Sequence, residues 1–322
     1  MGYILARRAL VASAASALVI PAGRAQAPWP TQPVRIVHGY AAGSNPDTIA
    51  RHLTPALTEI LGVSVIVEPK PGAAERLAAA YVAKQPADGY TLYMMTGGQA
   101  VVSATDAGLP YDLAKEFDFV SIVTRFPFNF VGPVESRFKT FKDYVDEARR
   151  TPGKLTYGSS GVGSTLHMAM ELLRARIGID IVHVPYKGGI GQPLADMATG
   201  QLDLHVSTLT LTTQLVRAGK LRSLAVTSKA RSRFEPDVPA VSETVPDFDV
   251  VSWLGFAAPT GLPRSVLDRL TAAIRQASGR PEVKSKIEAL GNDVDADGPA
   301  AFRERVMSDM AKWKPLAHAV KE

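Results

Sequence analysis

Short runs of β-branched and apolar residues alternate with amphipathic segments over most of the chain, from Pro33 to Phe256. The run Arg35–His38 predicts a strand. In Asp47–Leu61 the apolar residues fall on one face of a helix, which Gly62 is placed to end. Such alternation, with short connections, predicts an α/β fold with parallel-type sheets flanked by helices.

The remaining predicted elements continue this alternation until the last third of the chain, which is helical. The predicted strands are Val63–Val67, Thr91–Met95, Leu155–Tyr157, Ile181–Val184 and Leu202–Val206. The predicted helices are Arg76–Lys84, Thr165–Ile177, one around Leu194, Pro263–Ser278, Glu282–Leu290 and Pro299–Trp313.

The length predicts two lobes. Without an export signal, roughly 295 residues remain, which is near the size at which one hydrophobic core divides into two. Because no low-complexity linker occurs, we expect ordered segments at Phe126–Pro133 and Val250–Pro259 to join the lobes. The predicted division places residues 28–128 and 254–322 in lobe 1 and residues 129–253 in lobe 2.

The first 27 residues have the layout of a secretory signal peptide. Arg7 and Arg8 precede the apolar run Ala9–Ile20, and small residues follow, with cleavage expected after Ala25 or Ala27. The apolar run is too short for a membrane span, which needs about 20 residues. We therefore expect the mature protein in the periplasm.

Composition and charge exclude several kinds of site. The chain has no cysteine, so it has neither thiolate metal sites nor disulfides. Removing Arg7, Arg8 and Arg24 with the signal lowers the formal charge of +5 by 3, to +2. Because the remaining basic residues are interspersed with acids, we expect no nucleic-acid partner. No metal-ligand spacing, dinucleotide fingerprint or Walker sequence occurs, and no cofactor is expected.

Four loops rich in small and hydroxyl residues directly precede predicted helices. They are Ala41–Asp47, Thr96–Gln99, Ser159–Ser164 and Tyr186–Gly189. Free backbone N–H groups and the positive end of a helix dipole make such loops candidate anion sites. Helix capping alone would also explain each loop, and for Asp47 we expect an N-cap role.

Enzymatic interpretations find little support in the sequence. Around Ser159 and Ser160 a nucleophile elbow would require glycine at position 162, which is Val162. His167 is predicted to lie on the solvated face of its helix, and His183 to be a partly buried, hydrogen-bonded strand residue. We predict that the protein is not an enzyme, and a secreted serine hydrolase using one of these serines stays an alternative.

Several motifs, in order over most of the mature chain, resemble those of one known family. They are Ala87–Leu92, Pro152–Gly161, His183–Gly188, Ala218–Thr227 and Pro236–Pro239. Over Trp29–Trp313 the sequence is similar to the substrate-binding proteins of tripartite tricarboxylate transporters, often called the Bug family. The resemblance implies a two-lobed periplasmic binding protein, a Venus flytrap, that holds a small organic acid by its carboxylate.

The resemblance also implies the site residues and partners. Backbone amides and hydroxyls of the four loops, together with two residues after the Gly200–Asp203 motif, would hold the ligand. The candidate ligand-binding residues are Gly43, Ser44, Asn45, Gly97, Gly98, Gln99, Ser159, Ser160, Gly163, Ser164, Tyr186, Ser207 and Thr208. The expected partners are the acid and the membrane permease subunits of such a transporter, with the receptor itself a monomer. An orphan receptor that signals to a membrane sensor is the alternative.

Two departures from the family pattern leave the ligand open. Ser44 stands where the family usually has a second glycine, and Ser207 and Thr208 stand where many members have an Asp-Asn pair. The second exchange removes a negative charge and an amide from the expected cleft wall. The ligand preference of relatives therefore does not carry over to this chain.

Overall fold

Strands and helices alternate in the computed structural model, which describes residues 29–186 and 189–320. The strands are β1 (Val34–His38), β2 (Val65–Pro69), β3 (Thr91–Thr96), β4 (Phe117–Pro133), β5 (Thr156–Ser159), β6 (Val182–Pro185), β7 (Leu204–Thr208), β8 (Leu221–Val226), β9 (Val251–Pro259) and β10 (Asp293–Val294). The α-helices are α1 (Asn45–Leu61), α2 (Arg76–Ala83), α3 (Gly97–Thr105), α4 (Phe141–Arg150), α5 (Thr165–Ile177), α6 (Gly191–Ala198), α7 (Leu209–Arg217), α8 (Arg264–Ser278), α9 (Pro281–Glu288) and α10 (Pro299–Trp313). Short 3-10 helices span Val241–Glu243 and Lys314–Val320.

The predicted signal peptide, over residues 1–27, lies outside the described residues, and so do Lys187 and Gly188 of the last candidate loop. Within the two described ranges, no helix is long and apolar enough to cross a membrane.

The strands form two sheets that share β4, and the predicted α/β fold is confirmed. The first sheet has the order β2-β1-β3-β9-β4, with β10 also on β4. The second has the order β4-β7-β5-β6, with β8 also on β4. The pairs β1–β2, β1–β3, β5–β6 and β5–β7 are parallel, whereas β4 and β9 pair antiparallel with their neighbours.

The strand β4 crosses from one sheet to the other. Phe117–Pro127 pairs with β9 in the first sheet, and the strand from Phe128 onward pairs with β7 and β8 in the second. The chain returns to the first sheet through β9. The segments predicted to join the lobes, Phe126–Pro133 and Val250–Pro259, thus fall on these two strands. The lobe boundaries at residues 128 and 253 stay predictions.

The first sheet is covered by helices on both faces. Alternate residues of β3 point to opposite faces. Leu92 and Met94 join the core beneath α1 and α8, while Tyr93 and Met95 join the core with α2, α3 and α10. This burial on both sides explains why β3 is buried along its whole length.

Two helices begin earlier than the sequence predicted. The helix α1 starts at Asn45 rather than Asp47, because Pro46 fits the first helical turn, where its missing N–H costs nothing. The N-cap is therefore Ser44, and the predicted N-cap role of Asp47 is wrong. Gly97, predicted to lie in a loop, is the first residue of α3, and the N-cap Thr96 accepts a hydrogen bond from the backbone N–H of Gly98.

Gly255 of β9 is tightly packed, and a substitution there tests the packing of the crossing region. A Cβ atom there would lie 2.5 Å from Cζ of Phe302 and 2.9 Å from the carbonyl oxygen of Ser121. We expect Gly255→Ala to lower the free energy of unfolding by about 1–3 kcal/mol, since the backbone oxygen cannot move aside cheaply. The control is Gly191→Ala, where a Cβ atom would meet nothing within 4 Å. Urea unfolding of both variants measures the difference, and equal stabilities would contradict this packing.

Candidate functional site

A cavity of about 670 Å³ is lined by residues of both sheets. Its volume lies in the range of small-molecule sites, roughly 300–1,000 Å³. Phe126 and Phe128 of β4, with Ser252 and Leu254 of β9, line it from the crossing strands. Each pair is two residues apart, so both side chains of a pair lie on the same face of their strand.

Three helix N-termini contribute to the cavity wall. These are Ser44–Pro46 of α1, Thr165 and Leu166 of α5, and Thr208 before α7. The first backbone N–H groups of a helix have no partner within the helix, and its dipole is positive at this end. N-termini from both sheets at one cavity favour an anionic group there.

Four hydroxyl groups of the lining are buried and have no hydrogen-bond partner among the described residues. They belong to Ser44, Ser160, Ser207 and Thr208. Ser44 and Thr208 occupy N-cap positions, yet neither side chain makes a capping hydrogen bond. A buried hydroxyl without a partner costs about 1–3 kcal/mol, so these groups are available to a polar ligand.

The structure brings six of the candidate residues to the cavity. They are Ser44, Asn45, Ser160, Tyr186, Ser207 and Thr208. The side chains of Asn45 and Tyr186 already have protein partners: Oδ1 of Asn45 accepts from Thr210 at 2.7 Å, and the hydroxyl of Tyr186 donates to Asp196 at 2.6 Å. The first bond ties the start of α1 to the start of α7.

Three further candidates shape the loops behind the lining. The backbone N–H of Gly43 donates to the carboxylate of Asp47 at 2.9 Å. Gly163 donates through its N–H to Nδ1 of His167 at 3.2 Å, and its φ of 75° strains any other residue. Ser164 caps α5 by accepting from the N–H of His167.

The remaining four candidates are buried away from the cavity lining. Gly97, Gly98 and Gln99 form the first turn of α3, and Oε1 of Gln99 accepts from the hydroxyl of Tyr111 at 2.8 Å. The fourth, Ser159, is fully buried, and its Oγ lies 2.7 Å from Nε2 of His183.

The histidines near Ser159 form a stack in which His167 is buried and His183 is half-buried. His167 is only 4% exposed, so its predicted solvated position is wrong. The reason is that this face of α5 packs on aromatic groups: the ring centroids of His167 and His183 are 4.2 Å apart, and His183 stacks on Tyr157 at 4.8 Å. Burial lowers the pKa of His183 to about 3, so the ring is neutral at neutral pH.

Lining residues that the sequence did not single out include the segment Pro71–Ala74 and the side chain of Arg76. Ala73, Ala74 and Glu75 all have positive φ values, of 48°, 50° and 72°. Consecutive non-glycine residues in this region are strained, and only contacts outside the segment can hold them there. Pro71-Gly72 marks a turn in the sequence, but without a glycine or asparagine at positions 73–75 nothing indicated that the positive φ values continue to Glu75.

A buried carboxyl group, that of Glu75, lies beneath this turn. Its side chain accepts hydrogen bonds from the hydroxyls of Tyr93 and Thr96, and also contacts the hydroxyl of the cavity residue Tyr40. These bonds favour the carboxylate, but the cost of burying a charge is larger. The pKa of Glu75 is therefore raised from 4.5 to about 7.

Two α/β sheets that share crossing strands, with a cavity lined from both, define a two-lobed solute-binding protein. The model of the tripartite tricarboxylate transporter family receptor matches residues 49–321, and the chain belongs to this family. A similar relative is the UPF0065 protein of the tcbD-tcbE intergenic region in Pseudomonas sp. strain P51. It is 32% identical over 316 residues, which cover 97% of this chain and 94% of the relative.

Solved structures of similar proteins have the same two-lobed architecture. An R. palustris protein solved with adipate has a TM-score of 0.84 and 30% identity, covering 91% of this chain and 98% of that one. MatC from Rhodopseudomonas palustris, solved with bound malate, has a TM-score of 0.82 and 27% identity, covering 89% of this chain and 99% of that one. The suspected family and the Venus-flytrap fold are thereby confirmed.

The raised pKa of Glu75 predicts how stability depends on pH. Between pH 4.5 and about 7 the unfolded chain releases this proton while the folded chain keeps it. The contribution of Glu75 to the free energy of unfolding should therefore fall by about 3 kcal/mol as the pH rises through this window, and stay constant above it.

Glu75→Gln, which keeps the side chain neutral, should remove this contribution. Denaturant unfolding at a series of pH values would measure the difference between wild type and variant, with the exposed Glu304→Gln as the control. A difference that does not change with pH would show that Glu75 is not a buried neutral acid.

Proposed function

We propose that the protein is a periplasmic receptor that captures a small organic acid by its carboxylate and passes it, chemically unchanged, to the permease subunits of a tripartite transporter. The four unpartnered hydroxyls of Ser44, Ser160, Ser207 and Thr208 carry this proposal. A carboxylate supplies acceptor oxygens and no donor, which complements a wall of hydroxyl and N–H donors.

The charges of the lining also favour an anion. Among the described residues, no acidic side chain lines the cavity. The helix N-termini at α1, α5 and α7 add partial positive charge at the cavity wall. Hydrogen bonds to a charged group are stronger than neutral ones, and together they offset the cost of removing the carboxylate from water.

The similar proteins support the same class of ligand. The R. palustris protein was solved with adipate, and MatC was solved with malate; both ligands are carboxylates. The family description supports delivery to a tripartite tricarboxylate transporter. The predicted signal peptide over residues 1–27 agrees with a periplasmic location.

Catalysis by Ser159 is the weaker alternative. Its hydroxyl lies at hydrogen-bonding distance from His183, as in a nucleophile–base pair. However, Ser159 is fully buried and does not line the cavity, so a substrate there cannot reach its Oγ. Ser160, which does line the cavity, has no hydrogen-bond partner among the described residues, so no base there is placed to take its proton.

Ligand contacts from both sheets should favour a closed arrangement of the lobes. We propose that lobe 1 (residues 28–128 and 254–322) and lobe 2 (residues 129–253) pivot about the crossing strands β4 and β9. Small-angle scattering of a complex with a bound acid should then show a smaller radius of gyration than the protein without the acid. An identical scattering profile, with binding confirmed by calorimetry, would contradict this mechanism.

Removing single hydroxyls tests the carboxylate site. We expect Ser207→Ala and Ser160→Ala each to weaken binding of an organic acid by about 1.5–3 kcal/mol, roughly ten- to more than a hundredfold, because each removes a hydrogen bond to a charged group. Their melting temperatures should not fall, since these hydroxyls have no protein partner to lose. A thermal-shift screen of organic acids identifies the acid, and titration calorimetry measures the affinities.

The matched control is Ser103→Ala. The hydroxyl of Ser103 is likewise buried and unpartnered, but it does not line the cavity. Its removal should leave the affinity unchanged. Wild-type affinity in Ser207→Ala and Ser160→Ala would show that the carboxylate is bound elsewhere.

A further inference from the structure

A histidine of the second sheet lines the cavity beside one of the unpartnered hydroxyls. His205 lies on β7 two residues before Ser207, so both side chains lie on the same face of the strand, and both residues line the cavity. His205 is only 4% exposed. A buried polar side chain normally has a hydrogen-bond partner, so a buried ring without one, at the wall of a cavity, is a candidate ligand contact.

The packing of this ring leaves one of its nitrogens for a ligand. Nδ1 of His205 is buried without a hydrogen bond of normal geometry. It lies against the backbone of Gly158 on the neighbouring strand β5, where a Cβ atom would come within 2.5 Å of Nδ1. The ring of Tyr186 packs nearly perpendicular to that of His205, with the centroids 5.8 Å apart. Because Nδ1 is enclosed by Gly158, the other nitrogen, Nε2, is the one that a ligand in the cavity can contact.

The ring of His205 has no charged partner among the described residues. Burial lowers its pKa to about 4, the backbone of Gly158 opposes this effect, and no charged side chain contributes. The nearby hydroxyl of Tyr186 donates to Asp196 of α6 at 2.6 Å, and the carboxylate of Asp203 on β7 accepts from the backbone of β5 at 2.9 Å. At neutral pH the ring is therefore neutral.

Other ionisable groups around this part of the cavity have partners of their own. On α5, which packs on β7, Glu171 forms an ion pair with Arg174, and the ring of His167 accepts from the backbone of the loop between β5 and α5. Arg76, the one charged side chain of the described lining, forms an ion pair with Asp106. A carboxylate bound by the hydroxyls would therefore bring an uncompensated negative charge to this wall.

We propose that His205 is a further ligand-binding residue, and that its ring takes up a proton from solvent when the acid binds. The inference rests on the proposed function, in which the hydroxyls hold a carboxylate. The contact with the backbone of Gly158 favours a proton on Nδ1, which leaves a lone pair on Nε2. A carboxylate has no hydrogen to donate, so Nε2 can bond to it only after gaining a proton. The resulting imidazolium pairs with the carboxylate.

A nearby carboxylate is sufficient to make this proton uptake measurable. An opposite charge within about 4–6 Å moves a pKa by about 1–3, so the bound acid should raise the pKa of His205 from about 4 to about 6. Between these two values the complex holds a proton that the free receptor lacks, and the affinity therefore rises as the pH falls. We expect about half a proton to be taken up at pH 6, and an affinity about fourfold higher at pH 5.5 than at pH 7.5.

The experiment is titration calorimetry with the acid that binds most tightly in a thermal-shift screen of hexanoate, benzoate, malate and adipate. At pH 6 the observed enthalpy is measured in several buffers, and its slope against the ionisation enthalpy of the buffer gives the number of protons taken up. His205→Met, which is similar in size but cannot titrate, should take up about half a proton less than the wild type. Protons released by the acid itself do not affect this difference, because they are common to both proteins.

Two further variants separate the charge from the hydrogen bond and from histidines elsewhere. His205→Gln carries a neutral amide that can donate to the carboxylate, so at pH 7.5 it should bind the acid more tightly than His205→Met, yet without the proton uptake at pH 6. The control is His52→Gln. His52 is a half-buried histidine on α1 whose pKa is also lowered by burial, and it does not line the cavity. Its replacement should leave the proton uptake at the wild-type value.

The outcomes distinguish this inference from the proposed function. If an acid binds and loses affinity in Ser207→Ala, but wild type and His205→Met take up equal numbers of protons, the inference is wrong and the carboxylate site still stands. If the uptake survives in His205→Met and disappears in Glu75→Gln, the buried acid beneath the cavity is its source, and the inference is again wrong. If no organic acid in the screen binds, both proposals are overturned.

Discussion

The hydrogen bonds of Thr227 hold the two crossing segments side by side. Its backbone N–H donates to the carbonyl oxygen of Phe128, and its Oγ1 accepts from the N–H of Phe128 at 2.8 Å. The same Oγ1 donates to the carbonyl oxygen of Val250 at 2.7 Å, and the N–H of Val250 donates back to the carbonyl of Thr227. Thr227, which is fully buried, thus holds β4 beside the segment that leads into β9, at the point where the chain passes between the two sheets.

The positions of the site residues depend on this crossing. The crossing strands β4 and β9 form part of the cavity wall. Phe126 and Phe128 therefore line the same cavity as the starts of α1 and α7. Hydroxyls that would be capping groups in an ordinary helix, those of Ser44 and Thr208, are directed to a shared cavity instead. Each unpartnered hydroxyl lowers the free energy of unfolding by about 1–3 kcal/mol, and a ligand with acceptor oxygens can supply the missing hydrogen bond.

The sequence predicted the regular parts of this arrangement because they follow local rules. Period-2 and period-3.6 patterns located β1, β3 and α5, and the small polar loops located Ser44, Asn45, Ser160 and Tyr186 at the cavity. Ser207 and Thr208, which also line it, were singled out by the family resemblance and not by a local rule. The sequence could not predict which glycines line the cavity: Gly97 and Gly98 are buried in α3 because Thr96 caps that helix. Nor could it predict Arg76, whose position depends on the strained turn at Ala73–Glu75 and on Asp106, thirty residues later.

Glu75 and Arg76 are neighbours at this turn, and their ionisable groups differ in burial and in charge. Burial raises the pKa of Glu75 to about 7, so below that pH it places no negative charge beneath the cavity. Arg76 forms an ion pair with Asp106, and both side chains are partly exposed to solvent. Neutral hydroxyls together with one ion-paired arginine therefore leave the cavity wall with a positive charge that is only partly compensated. Such a wall favours an anion over a cation without requiring the tightest possible binding, since specificity is a difference of affinities.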